Sequence, residues 1–150
     1  MTTITLPTEI EVQSEAEMRR LCHKIATVLK PGDVVAFYGD LGSGKTFAIR
    51  EICAALGCKE PVTSPTFTLM QQYTTASGWP VYHFDFYRLE SPLELYNIGL
   101  EEFLNEGGIT FIEWAEKVET ELPEHRWDIH LELLPENPRA RRVRIKRRTA

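Results

Sequence analysis

The sequence has few cysteines, no long apolar run and no basic leader. Its 150 residues include three cysteines, which form no C-x-x-C pair. A small, odd number of thiols argues against a disulfide framework and is typical of a protein in a reducing compartment. No apolar stretch approaches the roughly 18 residues that cross a bilayer. Residues 1–12 lack the basic and apolar regions of a signal peptide. We therefore expect a cytoplasmic protein that does not contact a membrane.

Basic residues are also scarce, except near the C-terminus. The net charge is −5 and the sequence pI is about 5.4, which argues against a protein that coats nucleic acid. Seven of the 17 basic residues lie between positions 139 and 148, where they alternate with Val143 and Ile145. This stretch can contact tRNA phosphates, dock on an acidic partner protein, or form the solvated face of a strand.

No repeat, low-complexity tract or linker divides the sequence, and its length suits a single domain over residues 1–150. Strand and helix patterns alternate along it. Helices are predicted at 16–30, 47–56 and 92–104, and strands at 2–6, 34–38, 67–73, 81–86, 109–112, 127–133 and 143–146. The third helix has a break near Gly99. This order predicts an α/β fold like that of P-loop NTPases: a mixed β-sheet flanked by helices, with a C-terminal β-hairpin.

The strongest signal is the segment from Gly39 to Thr46, which fits the phosphate-binding P-loop pattern G-x-x-x-x-G-K-[ST] without a mismatch. An apolar strand pattern precedes it, and an amphipathic helix pattern follows it until Gly57. Glycines let the backbone curve around a phosphate, and the loop N–H groups and the positive helix end then face the anion. Lys45 is expected on the β/γ-phosphates and Thr46 on Mg²⁺. The predicted nucleotide-binding residues are Asp40, Leu41, Gly42, Ser43, Gly44, Lys45 and Thr46.

A P-loop site needs further acidic residues, because Mg²⁺ takes oxygen ligands and an attacking water needs a base or a positioning group. Asp85 follows the aromatic run at 81–84, and Glu113 follows the apolar strand at 109–112. Both can lie at the carboxyl edge of the sheet, where ligands bind in open α/β folds. The sequence does not distinguish which carboxylate holds the metal and which acts on water.

Residues near these acids are candidates for supporting roles. Thr66, in the Ser-Pro-Thr segment after the P-loop helix, can sense the γ-phosphate as switch-loop threonines do, or belong to an ordinary proline turn. Trp114 follows Glu113 and can pack near the nucleotide or in the core. His83 alternates with Asp85 on one strand face, so it can bond to that carboxylate or serve a structural role only.

Four segments, taken together, resemble the TsaE (YjeE) family of bacterial P-loop ATPases in order and spacing. They are the P-loop, Ser64-Pro65-Thr66-Phe67-Thr68-Leu69, His83-Phe84-Asp85-Phe86-Tyr87-Arg88-Leu89 and Ile112-Glu113-Trp114. The P-loop is generic, whereas the other three motifs in combination are specific. The resemblance spans nearly the whole chain.

The resemblance implies an ATPase required for threonylcarbamoyladenosine modification of tRNA. Proteins of this family bind the TsaD–TsaB pair, and their hydrolysis of ATP with Mg²⁺ supports repeated turnover. TsaC makes the threonylcarbamoyl-adenylate, and TsaE-like proteins do not themselves transfer the threonylcarbamoyl group. Contact with tRNA is then indirect, through the complex.

The resemblance also implies roles for individual residues. Lys45 and Thr46 match the phosphate and Mg²⁺ residues, and Glu113 matches the acidic residue near Mg²⁺. Asp85 matches the acidic centre of the His-x-Asp-x-Tyr-Arg motif, and Thr66 the switch-like threonine. Ser14 and Glu15 resemble the segment on the adenine side only loosely. One departure is Phe47, which stands where many members carry a second threonine.

Three rival functions use the same P-loop. A small-molecule kinase would need an acceptor site and a lid with arginines, and the basic C-terminal hairpin could be mistaken for such a lid. Its alternation with Val143 and Ile145 favours a strand face instead. A GTPase is disfavoured, because no Asn-Lys-x-Asp guanine-reading motif occurs. A nucleotide-gated binding module, in which hydrolysis is incidental, differs least from a partner-coupled ATPase.

Overall fold

The structure, a computed structural model, describes residues 6–63, 69–91 and 93–149. Within these ranges, seven strands form one sheet in the order β1-β7-β6-β2-β5-β4-β3. The strands are β1 (Glu9–Val12), β2 (Val34–Tyr38), β3 (Met70–Thr74), β4 (Pro80–Asp85), β5 (Ile109–Glu113), β6 (Arg126–Leu133) and β7 (Arg141–Arg148). The helices are α1 (Glu15–Val28), α2 (Lys45–Ala55), α3 (Glu94–Ile98) and α4 (Leu100–Leu104), and 3₁₀ turns follow β5 at Ala115–Lys117 and Glu119–Glu121.

The sheet is parallel at its centre and antiparallel at both edges. Strands β6, β2, β5 and β4 run parallel to one another, β3 is antiparallel to β4, and β7 and β1 extend the other edge antiparallel. The carboxyl ends of β2, β4 and β5 therefore meet at one edge of the sheet. The predicted α/β architecture, with a mixed sheet and a C-terminal hairpin formed by β6 and β7, is confirmed.

Strand β2 is buried on both faces, as expected for the centre of a parallel sheet covered by helices. Val35 and Phe37 point into the core beneath α1 and α2. Val34 and Ala36 point into a second core, which α3, α4 and the 3₁₀ turns cover. Because both faces are packed, β2 is held firmly, and this fixes the point at which the following loop begins.

Helix boundaries follow capping chemistry. The Ser14 hydroxyl accepts the N–H of Glu17 at 3.2 Å and so caps the N-terminus of α1. The helix ends at Val28 rather than at position 30, because Pro31 disfavours helical backbone in the preceding residue. Gly99, in the left-handed conformation, separates α3 from α4 at the predicted break. No helix among the described residues is long and apolar enough to cross a membrane.

One predicted strand lies almost wholly outside the described residues, and another needs correction. The strand predicted at 2–6 falls outside the described residues except for Leu6, which belongs to no strand. The edge strand is Glu9–Val12, whose glutamates face arginines of β7, with Arg142 Nη2 3.0 Å from Glu11 Oε1. Charge pairing across the strands, rather than hydrophobicity, marks this strand. The strand predicted at 67–73 begins only at Met70 within the described part, because Leu69 has a φ of 63°.

Candidate nucleotide-binding site

The P-loop joins the carboxyl end of β2 to the first turn of α2. Gly42 and Gly44 have φ angles of +81° and +103°, in the left-handed region that favours glycine. A Cβ atom at either position would meet no atom within 4 Å and would project into open space. The loop is thus an open cradle that side chains would fill, which fits a bound phosphate.

The start of the loop packs directly on β6. A Cβ at Gly39 would lie 2.6 Å from the carbonyl oxygen of Leu131 and 2.5 Å from Ser43 Oγ, so no larger residue fits there. Ser43 is fully buried, and its hydroxyl has no hydrogen-bond partner among the described residues. Ser43 therefore contributes its backbone to the cradle, whereas Asp40 lies exposed on the outer side.

Lys45 is folded back onto its own loop. Its Nζ donates to the carbonyl oxygens of Gly39 at 2.5 Å and Asp40 at 3.1 Å, and it lies 4.1 Å from the centre of the Trp114 ring. Burial lowers the pKa of Lys45, and the nearby acids, Glu113 first among them, oppose that shift. The ammonium group therefore lies beside the cradle. It is bonded to neutral carbonyl oxygens, which an anionic ligand can replace.

A chain of hydrogen bonds runs from the P-loop helix through β5 to β3. The Thr46 hydroxyl donates to Glu113 Oε1 at 2.8 Å. His83 Nε2 lies 2.6 Å from Glu113 Oε2, and because a carboxylate only accepts, Nε2 carries the proton. On the far side of the ring, Nδ1 lies 3.2 Å from the Tyr73 hydroxyl. His83 and Glu113 are 0% and 3% exposed. The hydrogen bonds therefore hold the Glu113 carboxylate in a position that is shielded from solvent.

The partner of His83 differs from the one that strand alternation suggested. In the β4–β5 register His83 lies opposite Phe111, and Glu113 is the next residue on the same face of β5. A diagonal neighbour on an adjacent strand is within reach of a long side chain such as glutamate. The structure therefore assigns the imidazole to Glu113, a pairing that alternation within one strand cannot reveal.

Asp85 lies beside Glu113, as predicted for two acids at the carboxyl edge. The two residues are register partners at the ends of β4 and β5. The buried Asp85 carboxylate accepts the N–H of Tyr87 at 3.0 Å. Both acids line a cleft of about 360 Å³ whose opposite wall is the P-loop, including Leu41 and Lys45.

Aromatic side chains close one end of this cleft. Trp114 has a φ of 59°, a left-handed conformation that is strained for a bulky residue and that turns the chain out of β5. Its ring lies 5.0 Å from that of Tyr87, and Lys117 Nζ donates to the Tyr87 carbonyl oxygen. Phe47 also lines the cleft, in place of a hydroxyl. The strained turn thus places the half-buried indole at the cleft, where it also packs against the edge of the second core.

For three predicted residues the assigned role stays a prediction. Thr66 lies outside the described residues, so its switch role stays a prediction. The Ser14 hydroxyl caps the N-terminus of α1, and Glu15 is exposed in the first turn of that helix. Neither lines the cleft, so their role on the adenine side also stays a prediction.

Arg141 is a neighbour of the P-loop that the sequence analysis missed. It was assigned only to the basic C-terminal stretch, yet its Nε donates to the Ser43 carbonyl oxygen at 2.9 Å. The two residues are 98 positions apart, so no local pattern connects them. Tyr73 was missed in the same way, because only the pairing of β3 with β4 brings it to His83.

A larger groove, of about 920 Å³, lies at the opposite end of β2. Val34, Leu100 and Leu122 line it together with several glutamates. It contains none of the predicted site residues. The smaller cleft is therefore the candidate functional site, because the glycine cradle, the lysine and the paired acids converge there.

The fold and this cleft define the class of P-loop nucleotide-binding proteins. A sequence model of the family described as "Threonylcarbamoyl adenosine biosynthesis protein TsaE" matches residues 12–143. The chain therefore belongs to the TsaE family, as the motif resemblance predicted.

Individual relatives agree with this assignment. Over 129 residues the chain is 44% identical to the tRNA threonylcarbamoyladenosine biosynthesis protein TsaE of Rickettsia felis, which covers 85% of this chain and 74% of the relative. It is 38% identical over 113 residues to the protein of the same name from Bacillus subtilis, covering 75% and 70%. The crystal structure of Bacillus subtilis YdiB superposes with a TM-score of 0.74 at 28% identity, covering 94% of this chain and 85% of that one.

Proposed function

We propose that this protein is an ATPase that acts in threonylcarbamoyladenosine modification of tRNA, hydrolysing ATP while docked on a TsaD–TsaB pair. The observation that carries the catalytic part is the contact between Thr46 and Glu113 at 2.8 Å, beside an open glycine cradle. A hydroxyl and a carboxylate held together at a P-loop are the hard oxygen donors that a Mg²⁺–nucleotide complex needs. The place in tRNA modification rests on membership of the TsaE family.

The loop backbone and Lys45 would bind the phosphates. The open space at Gly42 and Gly44 receives the phosphate chain, with the N-terminus of α2 directed at it. Lys45 exchanges two carbonyl acceptors for β/γ-phosphate oxygens, a stronger charge-assisted contact. Trp114, over which the ammonium lies, is positioned to cover that end of the nucleotide.

Thr46 and Glu113 would hold Mg²⁺. When bound, the metal neutralises negative charge that develops on the phosphate oxygens. The described residues contain no cluster of three or more histidine, cysteine or acidic side chains that could hold a metal by itself. The protein would thus supply only part of the coordination shell, and phosphate oxygens and waters would complete it, as is usual for Mg²⁺.

Asp85 then becomes the candidate for the group that acts on water. Glu113 is engaged by Thr46 on one oxygen and by His83 on the other. Asp85 accepts the N–H of Tyr87 and lines the cleft from the next strand. We assign Glu113 to the metal and Asp85 to positioning the attacking water. Thr66 is proposed to sense the γ-phosphate.

The partner surface is proposed to include the exposed face of the C-terminal hairpin. Arg142 and Arg144 pair with glutamates of β1 and β6, with Arg144 Nη2 3.3 Å from Glu132 Oε2, and both arginines stay partly exposed. This network keeps the arginines on the sheet, which does not suit a kinase lid that folds over phosphates. Contact with tRNA is proposed to be indirect, and transfer of the threonylcarbamoyl group is left to the partner.

The test is ATP hydrolysis by the purified protein, first alone and then with a TsaD–TsaB pair. We expect slow hydrolysis alone and a clear change in rate when the pair is added, with Lys45→Ala as the inactive control. Indifference to the pair would contradict partner coupling. Transfer of the γ-phosphate to a small acceptor would favour the kinase function instead, and nucleotide-dependent docking without hydrolysis would favour the gated binding module.

A further inference from the structure

One side chain of the C-terminal hairpin bonds directly to the back of the P-loop. Arg141 donates from Nε to the Ser43 carbonyl oxygen at 2.9 Å and from Nη2 to the Gly42 carbonyl oxygen at 3.3 Å. Its Nη1 donates to the carbonyl oxygens of Pro138 and Ala140 at 2.7 and 2.8 Å. The planar guanidinium therefore links four backbone carbonyls, two in the nucleotide site and two in the hairpin.

These contacts decide which way the loop peptides face. In a planar trans peptide the C=O and N–H groups point in opposite directions. Holding the Ser43 carbonyl towards Arg141 turns the Gly44 N–H away from it. Holding the Gly42 carbonyl does the same for the Ser43 N–H, which donates to the Asp40 carbonyl oxygen at 3.0 Å and closes the loop. A glycine-rich loop has little intrinsic preference for one orientation of its peptides. A contact from outside the loop, such as that of Arg141, therefore helps to set this orientation.

The anchor itself is firmly held. The turn before β7 is closed by hydrogen bonds from the Asn137 N–H to the Leu134 carbonyl oxygen and from the Ala140 N–H to the Asn137 carbonyl oxygen. Strands β6 and β7 pair over eight residues. Strand β6 also pairs with β2, and the P-loop begins at the carboxyl end of β2. Arg141 thus fixes the tip of the loop to the same hairpin on which its start is packed.

We propose that Arg141 is a positioning residue of the nucleotide site, which holds the P-loop backbone ready for phosphate before the nucleotide arrives. This inference rests on the proposed nucleotide-binding function. Preorganisation lowers the ordering cost of binding, so loss of the guanidinium weakens nucleotide affinity without removing any direct contact to the nucleotide. A lysine cannot replace it fully, because one ammonium group lacks the fork that spans two carbonyls.

The experiment compares Arg141→Gln, Arg141→Lys and the matched control Arg139→Gln. Arg139 lies in the same turn and is exposed, and its change removes the same charge. The first measurement is hydrogen–deuterium exchange of loop amides 42–45 in the nucleotide-free protein. The second is ATP and ADP affinity by calorimetry with Mg²⁺, and thermal melting checks that each variant is folded.

We expect Arg141→Gln to weaken nucleotide affinity about tenfold and Arg141→Lys by about threefold, as expected for lost charge-assisted hydrogen bonds. Loop exchange should accelerate in the same order, and Arg139→Gln should match the wild type. Unchanged exchange and affinity in Arg141→Gln would overturn the inference while leaving the proposed ATPase intact. If Arg141→Gln does not fold, the comparison of Arg141→Lys with the wild type decides in the same way.

The two proposals fail separately. If the wild-type protein binds no nucleotide, the proposed function is wrong, and loop exchange in the nucleotide-free variants still tests Arg141. Equal weakening by Arg139→Gln would show a general charge effect of the hairpin and would also overturn the inference.

Discussion

The Thr46 hydroxyl donates to Glu113 Oε1 at 2.8 Å, across 67 positions of sequence. This contact joins the first turn of the P-loop helix to the end of β5. The two groups proposed to hold Mg²⁺ are therefore adjacent. His83 holds the other carboxylate oxygen, which leaves Glu113 little freedom to move.

The carboxylate charge of Glu113 is predicted to matter for hydrolysis more than for binding. Glu113→Gln keeps the size of the side chain and an acceptor for Thr46 but removes the negative charge. We expect ATP affinity to stay within about threefold of the wild type, while hydrolysis in the partner complex falls at least about 100-fold. The matched control is Glu116→Gln, an exposed acid nearby that makes no contact with Thr46. Normal turnover by Glu113→Gln in the complex would show that its assigned role is wrong.

Removal of His83 is predicted to cost both stability and turnover. In His83→Ala the buried Glu113 loses a hydrogen-bond donor, which should lower the free energy of unfolding by about 1–3 kcal/mol. The loosened carboxylate should also slow hydrolysis. Tyr73→Phe is the comparison, because it removes only the hydroxyl on the far side of the ring and should cost less on both counts. Urea unfolding and single-turnover hydrolysis measure the two effects, and a larger loss in Tyr73→Phe would reverse the proposed order.

The sequence predicted the elements of this site better than their connections. The P-loop, Asp85 and Glu113 were found because each has a local signature: a glycine pattern, or an acid at the end of an apolar run. The contact of His83 with Glu113 was not among the alternatives considered for His83, because alternation within one strand says nothing about which strand lies next to it.

Arg141 and β1 show the other limit. The Arg141 bond to Ser43 depends on how the hairpin sits behind the P-loop, which no local pattern encodes. Strand β1 has only two apolar residues, which alternate with two glutamates, and its partner arginines lie more than 120 positions away. Interactions of this kind arise from tertiary pairing, so secondary-structure propensity and hydrophobic periodicity do not predict them.

The three cysteines are predicted to differ sharply in reactivity. Cys22 and Cys53 are buried, and burial raises the pKa of the Cys22 thiol to about 12. A hydrogen bond with Cys58 raises the pKa of Cys53, and the same bond lowers the pKa of the partly exposed Cys58. Because the thiolate is the reactive form, iodoacetamide at pH near 8 should label Cys58 first.

Mass spectrometry of the native and urea-unfolded protein would measure this order. Cys58→Ser should remove the fast label, and unfolding should make all three thiols reactive. Labelling of Cys22 or Cys53 at the rate of Cys58 in the native protein would contradict the packing described for α1 and α2.

Nucleotide binding is predicted to change the fluorescence of Trp114. Lys45 Nζ lies 4.1 Å from the centre of the indole ring and bonds to two carbonyls of its own loop. Phosphate oxygens attract the ammonium more strongly than these neutral acceptors, so binding should draw it off the ring and alter the surroundings of the indole. A titration with ATP or ADP should therefore give a saturable change in tryptophan emission.

The chain offers its own controls for this titration, because it has three tryptophans. Trp127, beside Arg147 on the sheet, lies outside the cleft, so Trp127→Phe should keep the full response. Trp114→Phe should lose it while still binding nucleotide by calorimetry. If Trp114→Phe responds as the wild type does, Lys45 does not leave the ring on binding. The contact between the lysine and the ring would then persist when nucleotide is bound.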